Sequence, residues 1–319
     1  MRDVLVARRA SMVIFIKSGA EESTRAIIRW VRPMTPPYGT VHSKAVFTFC
    51  RSAGCRVFLH TANDDPNDCE LRTEASWCRE FFLKEATDAR SSEFEKSLVE
   101  YFRHLHTTGR VPNAIVENAV HEIERYEFSN SGCALVTSIP GKHTGPMRTK
   151  FGHLRLRALL CDEDINESAN DSSVVVQFSS LGSIQPKWLA DLWLRYLRTD
   201  RVFARGRVKI TDCIGLVLPT LAQMANGVES WAAGRALPIT GRNVHREHIT
   251  SRLHGWNCSK AGKRAVAMPH IKSLLRYSRS IPDQLEWVLI GSANLSAAAW
   301  GAHRASSGAL DILSYEMGV

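Results

Sequence analysis

The sequence predicts an α/β protein built by internal duplication: two similar halves, each a mixed sheet flanked by helices, sharing one active site at their interface. Three observations predict it. The chain contains two His-x-Lys segments, each followed by β-rich runs and closed by a small residue and Asn. Runs rich in β-branched and aromatic residues alternate with segments of helical period. A length of 319 residues is enough for two domains, each with its own core.

The duplicated unit starts at Val41-His42-Ser43-Lys44 and again at Pro269-His270-Ile271-Lys272. Alternate side chains of an extended segment share a face, so each His and Lys can meet one ligand together. In the first copy, Ala45–Phe49, a turn at Arg51-Ser52-Ala53-Gly54 and Arg56–Thr61 form a hairpin that delivers Asn63. In the second, the apolar run Trp287-Val288-Leu289-Ile290 leads through Gly291-Ser292-Ala293 to Asn294. A lone His-x-Lys arises often by chance. Two copies, each ended by Asn, form a far more specific pattern.

The other elements follow in order. Residues 12–17 read as a buried strand and Glu21–Trp30 as a helix. Pro33, Pro36, Pro37 and Gly39 break regular structure just before His42. Asp64-Asp65-Pro66-Asn67-Asp68 reads as an acidic turn. Ser91–His106 places Phe94, Leu98, Tyr101, Phe102 and Leu105 on one side of an amphipathic helix. The pattern breaks over Thr107–Pro112, so the expected boundary divides an N-terminal half, residues 1–110, from a C-terminal half, residues 111–319. Asn113–Glu124 reads as a helix, Phe151–Leu160 as a basic amphipathic helix, and Asp162–Ser173 as an exposed acidic loop. Val174–Phe178 reads as a strand running into Ser179-Ser180-Leu181-Gly182-Ser183. The N–H groups and hydroxyls of such a turn suit phosphate oxygens, and equally suit a plain strand-to-helix turn with Ser as cap. Trp188–Leu197 reads as a helix, Val208–Leu218 contains a strand, and Leu221–Val228 is a short helix. Gly234–Arg264 is basic and irregular, and Ile312–Tyr315 is a final strand carrying Glu316.

Lys and Arg number 41 against 32 Asp and Glu, a net charge of +9. That favours a polyanionic partner, nucleic acid or anionic lipid, without choosing between them. No run approaches the roughly 20 apolar residues that a membrane span needs. Met12–Ile16 is too short for a secretory signal core, despite Arg2, Arg8 and Arg9 ahead of it. No membrane partner is therefore expected. The eight cysteines form no CxxC pair. Cys50, Cys55, Cys69 and Cys78 crowd one region with His60, but fit no zinc spacing. Reduced thiols of an intracellular protein are expected. No carboxylate cluster marks a Mg²⁺ site, and no metal or other cofactor is expected.

Together the two copies supply the imidazoles of His42 and His270, the ammonium groups of Lys44 and Lys272, and the amides of Asn63 and Asn294. Such a set can cradle a tetrahedral phosphoryl group and its trigonal-bipyramidal transition state. One imidazole can attack phosphorus and form a phosphohistidine. The other can protonate the leaving oxygen and then activate water. The symmetry of the pattern leaves open which one attacks. Glu74 and Glu316 are the carboxylates available to fix the imidazole tautomers.

At these residues the chain resembles the phospholipase D superfamily and, within it, the tyrosyl-DNA phosphodiesterases of type 1. The resemblance spans nearly the whole chain. It rests on Tyr38–Lys44, His60-Thr61-Ala62-Asn63, Gly152–Leu156, Gln177–Ser183, Ala267–Lys272, Ser292–Gly301 and Ser314-Tyr315-Glu316. The superfamily's general motif ends in Asp; Asn in its place marks this branch. The resemblance implies two phospholipase D-like αβα domains. It implies His42 as nucleophile, His270 as general acid and then base, and Lys44, Lys272, Asn63 and Asn294 as the phosphate cradle. It further implies Glu316 as the orienting carboxylate, and Ser179, Ser180 and Ser183 as DNA-phosphate contacts. The implied activity is metal-independent DNA repair by a monomer in the nucleus. The bonds cut would be 3′-phosphotyrosyl bonds left by topoisomerase I, and other 3′ blocks, on single- or double-stranded DNA. Two departures stand out. Glu74 occupies a position where the family usually has Gln, and the chain is expected to be a fragment lacking the family's first helix and strand and part of its last strand. The competing expectations are a DNA-end-binding protein impaired by Glu74 or by truncation, and a phospholipase D-like nuclease or lipid phosphodiesterase.

Overall fold

Two five-stranded mixed sheets form the frame of the molecule. The computed structural model describes residues 12–16, 28–31, 33–50, 54–63, 65–85, 91–106, 111–162, 172–196, 213–304 and 306–319. The first sheet contains β1 (Met12–Ile16), β2 (Ile28–Val31), β3 (Ala45–Cys50), β4 (Gly54–His60) and β5 (Ser76–Phe81), in the order β2-β1-β3-β4-β5. Two short strands follow, β6 (Val136–Ser138) and β7 (Gly141–His143). The second sheet contains β8 (Ser172–Gln177), β9 (Ile214–Leu218), β10 (Leu253–Gly255), β11 (Ser273–Ser278) and β12 (Leu285–Ile290), in the order β10-β9-β8-β11-β12. Near the C-terminus, β13 (Ala302–His303) and β14 (Leu310–Ile312) join β7, and β15 (Glu316–Gly318) pairs with β6.

The duplication is visible in the strand register. β1 runs parallel to β2 and antiparallel to β3, and β8 runs parallel to β9 and antiparallel to β11. The hairpin β3–β4 pairs Ala45 with Leu59; the hairpin β11–β12 pairs Ser273 with Ile290. Both Lys-bearing ends close alike: His60 N–H donates to the Lys44 carbonyl at 3.1 Å, and Gly291 N–H to that of Lys272 at 3.2 Å. Asn63 and Asn294 each come three residues after that closing donor. The four strands β2-β1-β3-β4 thus correspond to β9-β8-β11-β12.

Apolar periodicity dictates the packing. Phe47 and Phe49 alternate along β3 and are fully buried. They meet the apolar side of α2 (Glu93–His106), introduced after the short helix α1 (Pro66–Leu71). Phe47 and Phe102 pack edge to face, with centroids 5.3 Å apart. The core of the first sheet also includes Val116, Val120 and Ile123 of α3 (Asn113–Glu124), and Leu310, Tyr315 and Met317 from the C-terminus. Chain order at residues 110/111 and membership of this core are therefore separate matters. The second core gathers Val174, Val176, Leu216 and Leu274 from its sheet. It adds Leu156 and Leu160 of α4 (Gly152–Asp162) and Leu189 and Leu192 of α5 (Pro186–Tyr196). Among the described residues no helix is long and apolar enough to cross a membrane.

Several expectations are corrected. The helix expected over Glu21–Trp30 does not reach its end: Ile28–Val31 is a strand, because pairing with β1 outweighs the helical reading of a short apolar stretch; residues 21–27 lie outside the described residues. The acidic turn at Asp64–Asp68 is instead the start of α1, with Asp65 as N-cap and Pro66 in the first turn; Asp64 itself is not described. Ser172 and Ser173, expected in a loop, open β8 and are buried, while residues 163–171 lie outside the description. Gly234–Arg264 holds the short helices Gly241–Val244 and Glu247–Thr250 and the strand β10, which adds to the edge of β9. The final strand near Ile312–Tyr315 is two strands, β14 and β15, and Glu316 opens the second. None of the eight cysteines forms a disulfide.

Candidate active site

Four extended segments build the site, and they dock in pairs. Val41 bridges Tyr315 in parallel, and Thr73 bridges Pro269 in parallel. In the first pair His42 N–H donates to the Tyr315 carbonyl at 3.0 Å, and Tyr315 N–H to that of Thr40 at 2.9 Å. In the second His270 N–H donates to the Thr73 carbonyl at 3.0 Å, and Thr73 N–H to that of Met268 at 2.9 Å. Each pair sets a histidine beside the glutamate of the other half of the chain. His42 Nδ1 lies 3.0 Å from Glu316 Oε2, and His270 Nδ1 lies 2.7 Å from Glu74 Oε1. The same construction is made twice, in opposite directions.

Local sequence explains why the pairs can close. A Cβ on Gly39 would lie 2.0 Å from the Leu313 carbonyl oxygen, and one on Gly291 2.6 Å from that of Met317. Only glycine admits the segment carrying Glu316 so closely on both sides. Ser43, between His42 and Lys44, points into the core, where its hydroxyl meets Tyr101 Oη at 2.7 Å.

A carboxylate only accepts hydrogen bonds, so each histidine donates from Nδ1 and keeps its lone pair on Nε2. His42 Nε2 is thereby left as a nucleophile. His270 Nε2 accepts from Lys272 Nζ at 2.9 Å. Lys272 is 1% exposed and also donates to the carbonyls of Thr61 at 3.2 Å and His270 at 2.6 Å. Lys44 donates to the His42 carbonyl at 3.2 Å. Glu316 also accepts from Ser292 Oγ, and Glu74 from Thr61 Oγ1.

The charges act on one another as a single site. Burial lowers the pKa of His42, and Lys44 and Lys272 add to this against the opposing pull of Glu316. Burial likewise lowers His270, with Lys272 in the same direction and Glu74 and Asp68 against. Lys272 falls well below the usual lysine range, chiefly by burial and then by the charge of Lys44.

The remaining expected residues divide. Asn294 Oδ1 accepts from the N–H groups of Ser179 and Ser180, both at 3.0 Å, and from Ser179 Oγ at 3.2 Å. It therefore organises the serine turn and presents only its NH₂ to a ligand. Ser183 is exposed, and its hydroxyl accepts from Arg246 at 3.1 Å. Asn63 has an exposed side chain; its backbone N–H donates to Asp68 Oδ2 at 2.6 Å.

Asp68 is the principal residue that sequence reasoning missed. It is fully buried, with Oδ2 3.2 Å from His270 Nδ1. Its signal was present: Asp65-Pro66 opens a helix, and Arg72, the C-cap of that helix, stands four residues after Asp68. Asp68, Glu74 and His270 bring donor atoms within 4.8 Å of one another, as a metal site would. Their bonds describe a different arrangement. Asp68 accepts from Arg72 and Asn63 N–H, Glu74 accepts from Thr61 and from His270 Nδ1–H, and Asp68 Oδ2 lies 3.2 Å from that same nitrogen. Both carboxylates are thus engaged by hydrogen bonds from the protein itself.

A family model described as tyrosyl-DNA phosphodiesterase matches residues 7–319. The chain is 32% identical over 305 residues to tyrosyl-DNA phosphodiesterase 1 of Arabidopsis thaliana, covering 91% of this chain and 48% of that protein. It is 28% identical over 303 residues to tyrosyl-DNA phosphodiesterase 1 of Drosophila melanogaster, covering 90% and 50%. The chain thus spans about half the length of these two relatives. A crystal structure of the yeast tyrosyl-DNA phosphodiesterase superposes with a TM-score of 0.71 at 18% identity, covering 98% of this chain and 84% of that one, a likeness of fold. Paired histidine segments on duplicated sheets, and a family model that runs to the last residue, lead to one assignment: the chain belongs to the tyrosyl-DNA phosphodiesterase family of the phospholipase D superfamily.

Proposed function

We propose that this chain is a DNA 3′-end phosphodiesterase that removes a tyrosyl peptide from a 3′ phosphate through a covalent phosphohistidine. The observation that carries the reading is the pair of exchanged anchors, His42–Glu316 and His270–Glu74, beside Lys44 and Lys272. Both imidazoles are held in the tautomer that two-step phosphoryl transfer needs. His42 side chain is 25% exposed and His270 side chain 6%, which suits His42 to meet the phosphorus.

In the first step His42 Nε2 attacks phosphorus, the bond from phosphorus to the tyrosyl oxygen breaks, and His270 gives that oxygen a proton. In the second, His270 takes a proton from water, the water oxygen bonds to phosphorus, and the P–N bond breaks. The products are a 3′ phosphate and the free tyrosyl peptide. A phenol of pKa about 10 leaves with modest protonic help. An incoming phosphate draws the Lys272 ammonium to itself and, by its charge, raises the proton affinity of His270. The Lys44 and Lys272 ammonium groups and the Asn294 NH₂ stabilise the charge that develops on the phosphoryl oxygens. The net charge of +9 favours DNA without reading its sequence.

The test is turnover of a 3′-phosphotyrosyl oligonucleotide in excess EDTA, with phosphatidylcholine vesicles as the competing substrate. Cleavage of the oligonucleotide alone supports the reading. Binding without cleavage would favour a DNA-end-binding protein, and cleavage of the lipid a phospholipase.

A further inference from the structure

The two anchors differ in one respect. His42 Nδ1 meets one carboxylate, Glu316. His270 Nδ1 meets two, Glu74 at 2.7 Å and Asp68 at 3.2 Å. Asp68 is held from behind. Arg72 Nη1 donates to its Oδ1, and Arg72 Nε and Nη2 donate to Glu229 at 2.8 and 2.6 Å. Arg72 and Glu229 are themselves buried, with side chains 9% and 6% exposed. Asp68 lies in α1 and Arg72 is its C-cap, while Glu229 lies 157 residues beyond Arg72, so this chain of ion pairs ties the first half to the second.

Charge accounting gives the arrangement its consequence. Arg72 is shared between two carboxylates, so Asp68, Arg72 and Glu229 together carry one net negative charge. Facing His270 are therefore that cluster and Glu74 on one side, and Lys272 of its own segment on the other, with Lys44 beyond Lys272. Among the described residues no ion pair stands behind Glu316, whose carboxylate instead accepts from the neutral hydroxyl of Ser292.

We infer that Asp68 is a positioning residue for His270: held by Arg72 and Glu229, it sets a second carboxylate at ion-pair distance from Nδ1 and favours the imidazolium on this side of the site, making His270 the acid–base member of the pair. The inference rests on the phosphodiesterase reading for what the proton is used for, but not for where it sits. Asp68 also accepts the backbone N–H of Asn63, so one carboxylate fixes both the acid–base imidazole and the loop that carries the first Asn.

The experiment uses the full chain and Asp68→Asn. Imidazole ¹⁵N NMR follows His42 and His270 against pH without substrate, and single-turnover cleavage of a 3′-phosphotyrosyl oligonucleotide is followed over the same range. An opposite charge this close is worth about one pH unit or more. In Asp68→Asn the His270 midpoint should fall by about one unit while that of His42 stays. The alkaline limb of adduct formation should fall with it, giving a roughly tenfold loss of rate on that limb. Glu229→Gln carries the test if Asp68→Asn does not fold. It leaves Arg72 to neutralise Asp68 alone and should move His270 in the same direction by a smaller amount. A folded variant of either kind whose His270 midpoint does not move overturns the inference. The NMR arm decides this by itself: a parent that titrates as expected but does not cleave sinks the phosphodiesterase reading and leaves the placement of Asp68 intact.

Discussion

A histidine can attack phosphorus only when its lone pair and its proton sit on the right nitrogens. Glu316 and Glu74 settle this for His42 and His270 by accepting from Nδ1. The effect of Glu74 on its imidazole has a definite sign. Its carboxylate raises the proton affinity of His270 against burial and Lys272, which lower it. Glu74→Gln should therefore lower the His270 pKa and move the alkaline limb of adduct formation to lower pH, read by single-turnover rates at several pH values. Lys272 donates to His270 and to two carbonyls from a buried position. Lys272→Ala should cut cleavage by about 10²–10³, read as kcat on a 3′-phosphotyrosyl oligonucleotide. The two His-x-Lys segments and their closing Asn stood out in the sequence because the pattern occurs twice. Asp68 was not, because its role depends on a partner, His270, some two hundred residues away.

The elements that carry these side chains depend on close backbone approach. Glu316 reaches His42 because Gly39 and Gly291 let its segment lie against them. Gly39→Ala would put a methyl group 2.0 Å from the Leu313 oxygen. It should lower both the melting temperature and the cleavage rate, the rate by tenfold or more if His42 loses its carboxylate. On the other side, α1 is tied to the second half through Arg72 and Glu229. Breaking a buried pair leaves an uncompensated charge, so Arg72→Ala should cost about 3–5 kcal/mol in urea unfolding. Helical period made α2 and α3 legible, since each buries one face. Ile28–Val31 was misread because four apolar-rich residues fit either period and only pairing with β1 decides. α1 was misread because its acidic composition resembles a turn, although Asp65-Pro66 is also a helix start.

Across the whole molecule, the duplicated register of β2-β1-β3-β4 and β9-β8-β11-β12 brings two weak motifs into one site. The fold class was legible because the repeat was. The exchange of glutamates between halves was only half legible: the residues could be named, but their crossed pairing is a tertiary fact. Burial also sets a pH response. His42, His143 and His270 all have folded pKa values lowered from 6.5, so below that pH the unfolded chain binds more protons than the folded one. Their contribution to stability is full above pH 6.5 and is lost as pH falls through the folded values. Thermal melts from pH 8 to pH 5 should show the melting temperature falling over the acidic part of that range.

The most direct test of the account is to trap the covalent intermediate. Single-turnover reaction of His270→Ala with a 3′-phosphotyrosyl oligonucleotide should leave a protein–DNA adduct that persists, because the imidazole proposed to activate water is gone. Peptide mapping should place the DNA on His42. Loss of the adduct in the double variant with His42→Ala would complete the assignment. An adduct on any other residue, or full turnover without His42, would contradict the two-histidine mechanism.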